Sequence, residues 1–309
     1  MLKLTPHLTN YLWGGIRLKQ EFNYQTAFDK VAEAWVVSSR ADGPSWTEDN
    51  KKFSEIVGED FPLLVKFIDA KDNLSIQVHP ADKINGKTEM WYVLDAVKDA
   101  KIAYGWNQTM TAELVEEAIN SENLEQYINY EPVKKGDAIF VPAGTVHGIG
   151  AGILIAEVQQ NSNSTYRLYD YNRKDSFGKS RELHVTSALK VLKFDKQDPL
   201  SQNLKVEKCE QSAIKQLSSC EFFSVYEVSL AGSIKILAQK FQVLLVLENT
   251  MIDGTQRCKG DSFYVKPGTE YVISGMGMVL IGQVQSEIQI YEEDQKCINR
   301  YFDANTDVK

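Results

Sequence analysis

Two histidines, a glutamine and a glutamate carry the first chemistry that can be read from this chain. Residues 75–80 read SIQVHP, with Gln77 and His79 two positions apart. In an extended strand that spacing turns both side chains to one face. His147 lies in GDAIFVPAGTVHGIG, after a strand and a Pro-Ala-Gly turn that brings the chain back toward the same sheet. Glu89, in KTEMWYVLDA, opens a further strand after Gly86 and is placed to run antiparallel to the Gln77 strand. An amide oxygen, two imidazole nitrogens and a carboxylate make a four-donor set suited to Zn²⁺, Fe²⁺ or Mn²⁺, with open positions for water or substrate. A lone histidine is more often a packed core or loop residue. The joint occurrence of these four residues in two distinctive motifs is what favours a metal.

Such a set needs elements to hold it. Short runs rich in Val, Ile, Phe and Tyr, punctuated by Gly, Pro, Asn and Asp, recur at 33–38, 63–69, 74–79, 89–95, 101–105, 138–142 and 153–159. That pattern predicts a mainly β, antiparallel protein. Helical spacing is confined to 111–119 behind a Thr111 cap, to 121–128, and to about 182–192. The first two form a small helical insertion at about 109–129. His184, on the third, reads as a packing or surface residue, and the polar stretch 193–208 reads as a linker.

An internal repeat divides the chain. At a constant offset of 124, KGDAIFVPAGTVH (135–147) lies over KGDSFYVKPGTEY (259–271), with Lys, Gly, Asp, Val, Gly and Thr shared. The period implies two related β units and excludes a solenoid. Tyr271 stands where the first copy has His147, and residues 197–309 contain no histidine. A neutral phenol, with a pKa near 10, is a poor ligand at pH 7. The metal is therefore expected in the first unit only.

Composition narrows the function. Of 309 residues, 43% are hydrophobic and 25% charged, which excludes disordered and low-complexity classes. The net charge of -8, without Lys/Arg clusters, argues against nucleic acid as a partner. No apolar run reaches the roughly 18 to 20 residues that span a bilayer, so no membrane partner is expected. The N-terminal residues lack an export pattern, which predicts a cytoplasmic protein. Cys209, Cys220, Cys258 and Cys297 have no C-x-x-C spacing and are expected to be reduced.

Gly136, Pro142-Ala143-Gly144 and His147, together with Gln77-x-His79 and Glu89, resemble the two metal-binding motifs of the cupin superfamily. FPLLVKFIDAKDNLSIQVHP (61–80), GKTEMWYVLDA (86–96) and QNSNSTYRLYDYNR (160–173) resemble the type I mannose-6-phosphate isomerases, especially their short bacterial form. Trp13-Gly14-Gly15 and Glu33-Ala34-Trp35 are similar to that family's N-terminal signatures. The resemblance is strong over about 1–195 and weak beyond. It implies two cupin-like antiparallel β-barrel (jelly-roll) units: a metal-binding catalytic domain at 1–195 and a cupin-like domain lacking metal ligands at 196–309.

It also implies one Zn²⁺ per chain on Gln77, His79, Glu89 and His147. Catalytic roles fall on Arg167, Glu157 and Lys87, and phosphate-binding roles on Lys66 and Ser75. The implied activity interconverts mannose 6-phosphate and fructose 6-phosphate through a cis-enediol. The alternative is a non-catalytic, metal-containing cupin that binds a sugar phosphate or regulates. An Fe²⁺ dioxygenase is disfavoured, because its site normally combines three histidines with a carboxylate and here Gln77 takes one place.

Overall fold

The structure, a computed structural model, describes residues 1–292 except 176, 199, 201–204, 210–211 and 285–287. It is mainly β, and the sheets are antiparallel. Among the described residues no helix is long and apolar enough to cross a membrane.

Two sheets frame the region of the four donors. A six-stranded sheet runs in the order Ala138–Val141, Glu89–Ala96, Ile153–Gln160, Leu63–Ala70, Glu33–Val37, His7–Thr9. A five-stranded sheet runs Tyr166–Tyr169, Ile76–Val78, His147–Ile149, Lys101–Trp106, Ile128–Pro132. Trp91, Val93, Ile139 and Ile155 of the first pack against Ile102 and Ile149 of the second. The two sheets remain separate and do not join into one closed barrel.

Alternation decides which side chains enter this space. Along Glu89–Ala96, the even positions Met90, Tyr92 and Leu94 pack on the other face of the six-stranded sheet, against Val225, Val243 and Leu280 of an eleven-stranded sheet. The odd positions Glu89, Trp91 and Val93 turn inward. The same parity sends Glu157, Lys66, Glu33 and Trp35 inward, because Ala156, Val158, Val65, Phe67, Ala34 and Val36 belong to the outer cluster. Tyr92 crosses that layer and donates a hydrogen bond to the buried Glu227 (2.9 Å), which also accepts from Lys215 and Ser229. The eleven-stranded sheet is built mostly from the second half but includes Leu2–Thr5, which pairs with Ser262–Val265.

The repeat is a repeated strand–turn–strand corner, which in the first copy joins Ala138–Val141 of the six-stranded sheet to His147–Ile149 of the five-stranded sheet. Gly136 and Gly260 have φ of +90° and +94°, and Gly144 and Gly268 have +86° and +78°, the left-handed region that favours glycine. In both copies the aspartate after the first glycine accepts from a backbone N–H three residues before it, Asp137 from Lys134 and Asp261 from Cys258. The shared Gly, Asp and Gly are thus turn requirements.

The helical insertion consists of Ala112–Asn120, capped by the Thr111 side chain at Leu114 N (3.2 Å), and a single 3₁₀ turn, Leu124–Tyr127. The helix expected at 182–192 shrinks to Val185–Leu189, because His184 is pulled out to hydrogen-bond Arg167. The stretch expected as a linker from 193 is bound to the first unit up to Gln197. Trp106 Nε1 donates to Lys193 O, and Trp106 N donates to Gln197 Oε1, each at 2.8 Å. Of that expected linker, residues 199 and 201–204 lie outside the described residues.

Replacing Tyr92 with phenylalanine should lower stability by about 1.5–3 kcal/mol, the usual worth of a hydrogen bond to a charged group. Urea unfolding of Tyr92→Phe at the wild-type midpoint would show that this contact does not tie the layers together.

Candidate metal centre and buried charge network

Gln77 and His147 are directly paired across neighbouring strands, and Gln159 faces Glu89 in the opposite sheet. The fold therefore brings together donors 70 residues apart. His79 Nε2 lies 3.4 Å from Glu89 Oε2, and His147 Nε2 lies 3.5 Å from Glu89 Oε1. The donor atoms of His79, Glu89 and His147 all fall within 4.8 Å of one another, and the three residues are buried. Both imidazoles are oriented from behind. His79 Nδ1 meets the Ser164 carbonyl at 2.7 Å, and His147 Nδ1 meets the Thr145 carbonyl at 2.8 Å. That leaves each Nε2 aimed at Glu89, the usual arrangement behind a metal ligand.

Three observations fit this set to a cation. Glu89 Oε1 is buried and, among the described residues, has no hydrogen-bond partner. The Lys87 ammonium bonds His79 Nε2 at 3.1 Å and also bonds Glu89 Oε2, so the donors already hold one positive charge. Third, the protonation states suit binding. Burial, with Lys87 adding to it, pushes the His79 imidazole down to about 3, and burial lowers His147 as well. Burial would raise Glu89, but Lys87 and the two imidazoles overcome it and hold the carboxyl well below its usual range. Neutral imidazoles and an ionised carboxylate are the forms a metal requires.

Gln77 Nε2 lies 3.4 Å from His147 Nε2, while Oε1 accepts from the Ser75 hydroxyl at 3.1 Å. A half-turn of the amide exchanges these atoms. Ser75 then accepts from Nε2 and the oxygen faces the imidazoles, since a hydroxyl serves as donor or acceptor.

Behind the donors runs a line of alternating charge. Lys87 lies 3.8 Å from Glu157 Oε1, Lys66 lies 3.5 Å from the same oxygen and 3.4 Å from Glu33 Oε2, and Trp35 Nε1 donates to Glu33 at 2.6 Å. Trp91 Nε1 donates to the other Glu157 oxygen at 3.0 Å. Burial, reinforced by Glu89, raises the Glu157 carboxyl. Burial works against the Lys66 charge, yet Glu33 and Glu157 hold its ammonium above the ordinary lysine range. Two ammoniums thus face three carboxylates, an excess of one negative charge that a divalent cation reverses.

Of the nine residues singled out above, eight converge here. Gln77, His79, Glu89 and His147 meet at the centre, Lys87, Glu157 and Lys66 form the line behind it, and Ser75 backs Gln77. Lys66 and Ser75 are only 4% and 2% exposed and are already partnered within the network. Arg167 stands opposite Gln77 in the strand pairing, half-buried, and its Nε has no hydrogen-bond partner among the described residues. Glu33 was given no role in the sequence, although a carboxylate inside the apolar strand EAWVV was a readable signal. Tyr11 was missed altogether. Although the residue is 43% exposed, desolvation and then Glu33 raise its phenol, while Lys66 and Arg167 act the other way.

The second unit repeats the frame with other side chains. Tyr271 pairs with Ile236 as His147 pairs with Gln77, and Gln242 pairs with Val265 as Glu89 pairs with Val141. The four positions corresponding to the donors are therefore Ile236, Ala238, Gln242 and Tyr271, all buried. The Tyr271 hydroxyl donates to Gln242 Oε1 at 2.7 Å.

Comparison with known proteins gives consistent matches. Residues 1–104 match the family model for phosphomannose isomerase type I, catalytic domain. Over 275 residues the chain is 37% identical to mannose-6-phosphate isomerase ManA of Bacillus subtilis (strain 168), covering 81% of this chain and 86% of that protein. The crystal structure of the mannose 6-phosphate isomerase from Bacillus subtilis matches with a TM-score of 0.85 and 30% identity, over 92% of this chain and 99% of that one. A mannose 6-phosphate isomerase structure bound with zinc and yttrium shares the fold, with a TM-score of 0.71 at 16% identity over 93% of this chain and 100% of that one.

Two outcomes are expected. His147→Ala and Glu89→Gln should each abolish tight binding of a divalent ion without preventing folding. Stoichiometric metal in either variant, by elemental analysis, would mean that the centre lies elsewhere. The second concerns pH. His79 titrates at its ordinary 6.5 when unfolded and at about 3 when folded, so between these values the unfolded chain binds more protons. The stability of metal-free protein should be full above 6.5 and fall as the pH drops toward 3. His79→Gln should flatten the upper part of that decline in thermal melts.

Proposed function

Because this chain belongs to the type I phosphomannose isomerase family, we propose that it interconverts mannose 6-phosphate and fructose 6-phosphate, with one Zn²⁺ held by Gln77, His79, Glu89 and His147. The observation that carries this reading is the buried Glu157 carboxylate, raised in pKa and set between Lys66 and Lys87 within the same network as the metal donors. Zinc is supported by the buried donor set of two imidazoles and a carboxylate, and by the zinc bound in the more distant structural neighbour. The free Cys220 and Cys258 thiols suit a reducing compartment, and we place the protein in the cytoplasm.

Aldose–ketose exchange removes a proton from the carbon beside a carbonyl and returns it to the neighbouring carbon. A cis-enediol keeps both transfers on one face of the substrate, so one base can serve both. Glu157 is that base. A carboxyl raised toward neutrality is a better proton acceptor than an ordinary glutamate, and such catalysis contributes about 10²- to 10⁴-fold. Trp91 fixes one Glu157 oxygen and leaves Oε1 without a hydrogen-bond partner. A divalent ion held by Gln77, His79, Glu89 and His147 would polarise the carbonyl oxygen. The Arg167 guanidinium stabilises the oxygen on which charge develops, in a setting where burial strengthens its field.

Lys87 and Lys66 keep Glu157 ionised. We assign Lys66 to this task in place of direct phosphate contact, because two carboxylates already share its ammonium. Ser75 orients the Gln77 amide. We further propose that residues 1–195 carry the catalysis and that 196–309 form the supporting domain, where Gln242 and Tyr271 replace a carboxylate and an imidazole.

Steady-state kinetics on mannose 6-phosphate test this, and activity that survives thorough metal removal would sink the zinc-dependent reading. Arg167→Ala should lower kcat by about 10²- to 10³-fold with little change in KM, as for loss of one oxyanion donor. A pure KM effect would move Arg167 to substrate binding. Lys66→Met removes a positive charge beside Glu157, so the acid limb of the kcat–pH profile should move to higher pH. An unmoved limb with a raised KM would return Lys66 to the phosphate.

A further inference from the structure

We infer that His184 is the positioning residue for Arg167: it fills the open edge of the strand that carries the guanidinium and fixes Arg167 opposite Gln77. The kinetic consequence rests on the isomerase reading, whereas the positioning rests on backbone geometry.

The Tyr166–Tyr169 strand ends its sheet and pairs, among the described residues, only with Ile76–Val78. Arg167 lies opposite Gln77, and the register breaks between Arg167 and Tyr169, so the regular ladder stops beside the functional residue. The Arg167 N–H and C=O both point away from that ladder and meet His184. The His184 amide donates to Arg167 O at 2.8 Å, and the Arg167 amide donates to His184 Nδ1 at 3.2 Å. A neighbouring strand would offer one residue's N–H and C=O at this place, and here an imidazole nitrogen substitutes for the carbonyl. The contact requires the neutral tautomer with its proton on Nε2.

Two consequences follow for the site. Because the Arg167 polar groups are turned to His184, Arg167 and Gln77 form a non-hydrogen-bonded pair, the closer of the two antiparallel spacings at about 4.5 Å between Cα atoms. The guanidinium is thereby kept beside a metal donor. Among the described residues its Nε has no hydrogen-bond partner, so no bond at that nitrogen holds the side chain in place of the backbone. Displacement of a catalytic group by about 1 Å costs on the order of 10²-fold.

His184 is well supported for this task. It occupies the N-cap of Val185–Leu189 but makes no side-chain cap bond, since its ring is committed to Arg167. The Tyr166 ring flanks it at 6.3 Å. Ala188, one turn on, is buried with Leu168 in the same apolar cluster, which docks the helix on the back of the strand.

Three variants separate positioning from bulk structure. Asparagine places an acceptor oxygen where Nδ1 sits, whereas the polar atoms of glutamine fall one bond further, where Nε2 sits. His184→Ala and His184→Gln should lower kcat by about tenfold or more, with KM within about twofold and metal content unchanged, while His184→Asn returns kcat to within about threefold of wild type. Hydrogen exchange at the Arg167 amide should be slow in wild type and His184→Asn and faster in the other two. Wild-type kcat in His184→Ala, a His184→Asn enzyme as slow as His184→Ala, or equal exchange in all four proteins would overturn the inference. A wild-type protein without isomerase activity would instead remove the functional reading, and the exchange series would still decide whether His184 holds Arg167.

Discussion

The structure turns on one constraint: five charged side chains and two imidazoles must sit between two sheets with almost no water. Each ion moved out of water costs several kcal/mol unless partners are close. The chain meets this by alternating sign, Glu33, Lys66, Glu157, Lys87, Glu89, with the indoles of Trp35 and Trp91 donating to two of the carboxylates. The alternation leaves one negative charge in excess and an unpartnered Glu89 oxygen, and both conditions select for a divalent cation at the histidine end. The candidate metal donors and Glu157 are therefore parts of one electrostatic unit.

That unit needs stiff walls. The six-stranded sheet supplies them by placing the charges beside an apolar cluster on one face and a continuous apolar layer, shared with the eleven-stranded sheet, on the other. Strands such as Leu63–Ala70 are buried along their whole length, and for that reason read as apolar runs interrupted only by Lys66 and Asp69. Tyr92 and the N-terminal strand Leu2–Thr5 extend the same coupling from the first unit to the second.

The two units show how one frame serves opposite ends. Both keep the left-handed glycines and the aspartate-closed turn, because backbone geometry demands them wherever this corner is made. They differ where chemistry is at stake. Gln242 and Tyr271 satisfy each other with a neutral hydrogen bond, so the second interior holds nothing that calls for a cation at those positions. The repeat thus separates requirements of folding from requirements of function within a single chain.

The sequence by itself determined the β class, the repeat, and Gln77, His79, Glu89 and His147 as candidate donors. Those features are written in local rules: period-two alternation, turn residues, and ligand types at strand spacing. It left undecided what Lys66, Ser75, Glu33, Tyr11 and His184 do. Lys66 and Glu157 become an ion pair only because Leu63–Ala70 and Ile153–Gln160 are neighbours in register, and Glu33 joins them only from a third strand. His184 looked like a helix residue, since nothing local shows that its imidazole would complete the edge of a strand 17 positions earlier. Roles that depend on which strands lie side by side, and on the charge of what lies next door, belong to the tertiary structure, because burial and Coulomb interaction act through space and leave no period in the chain.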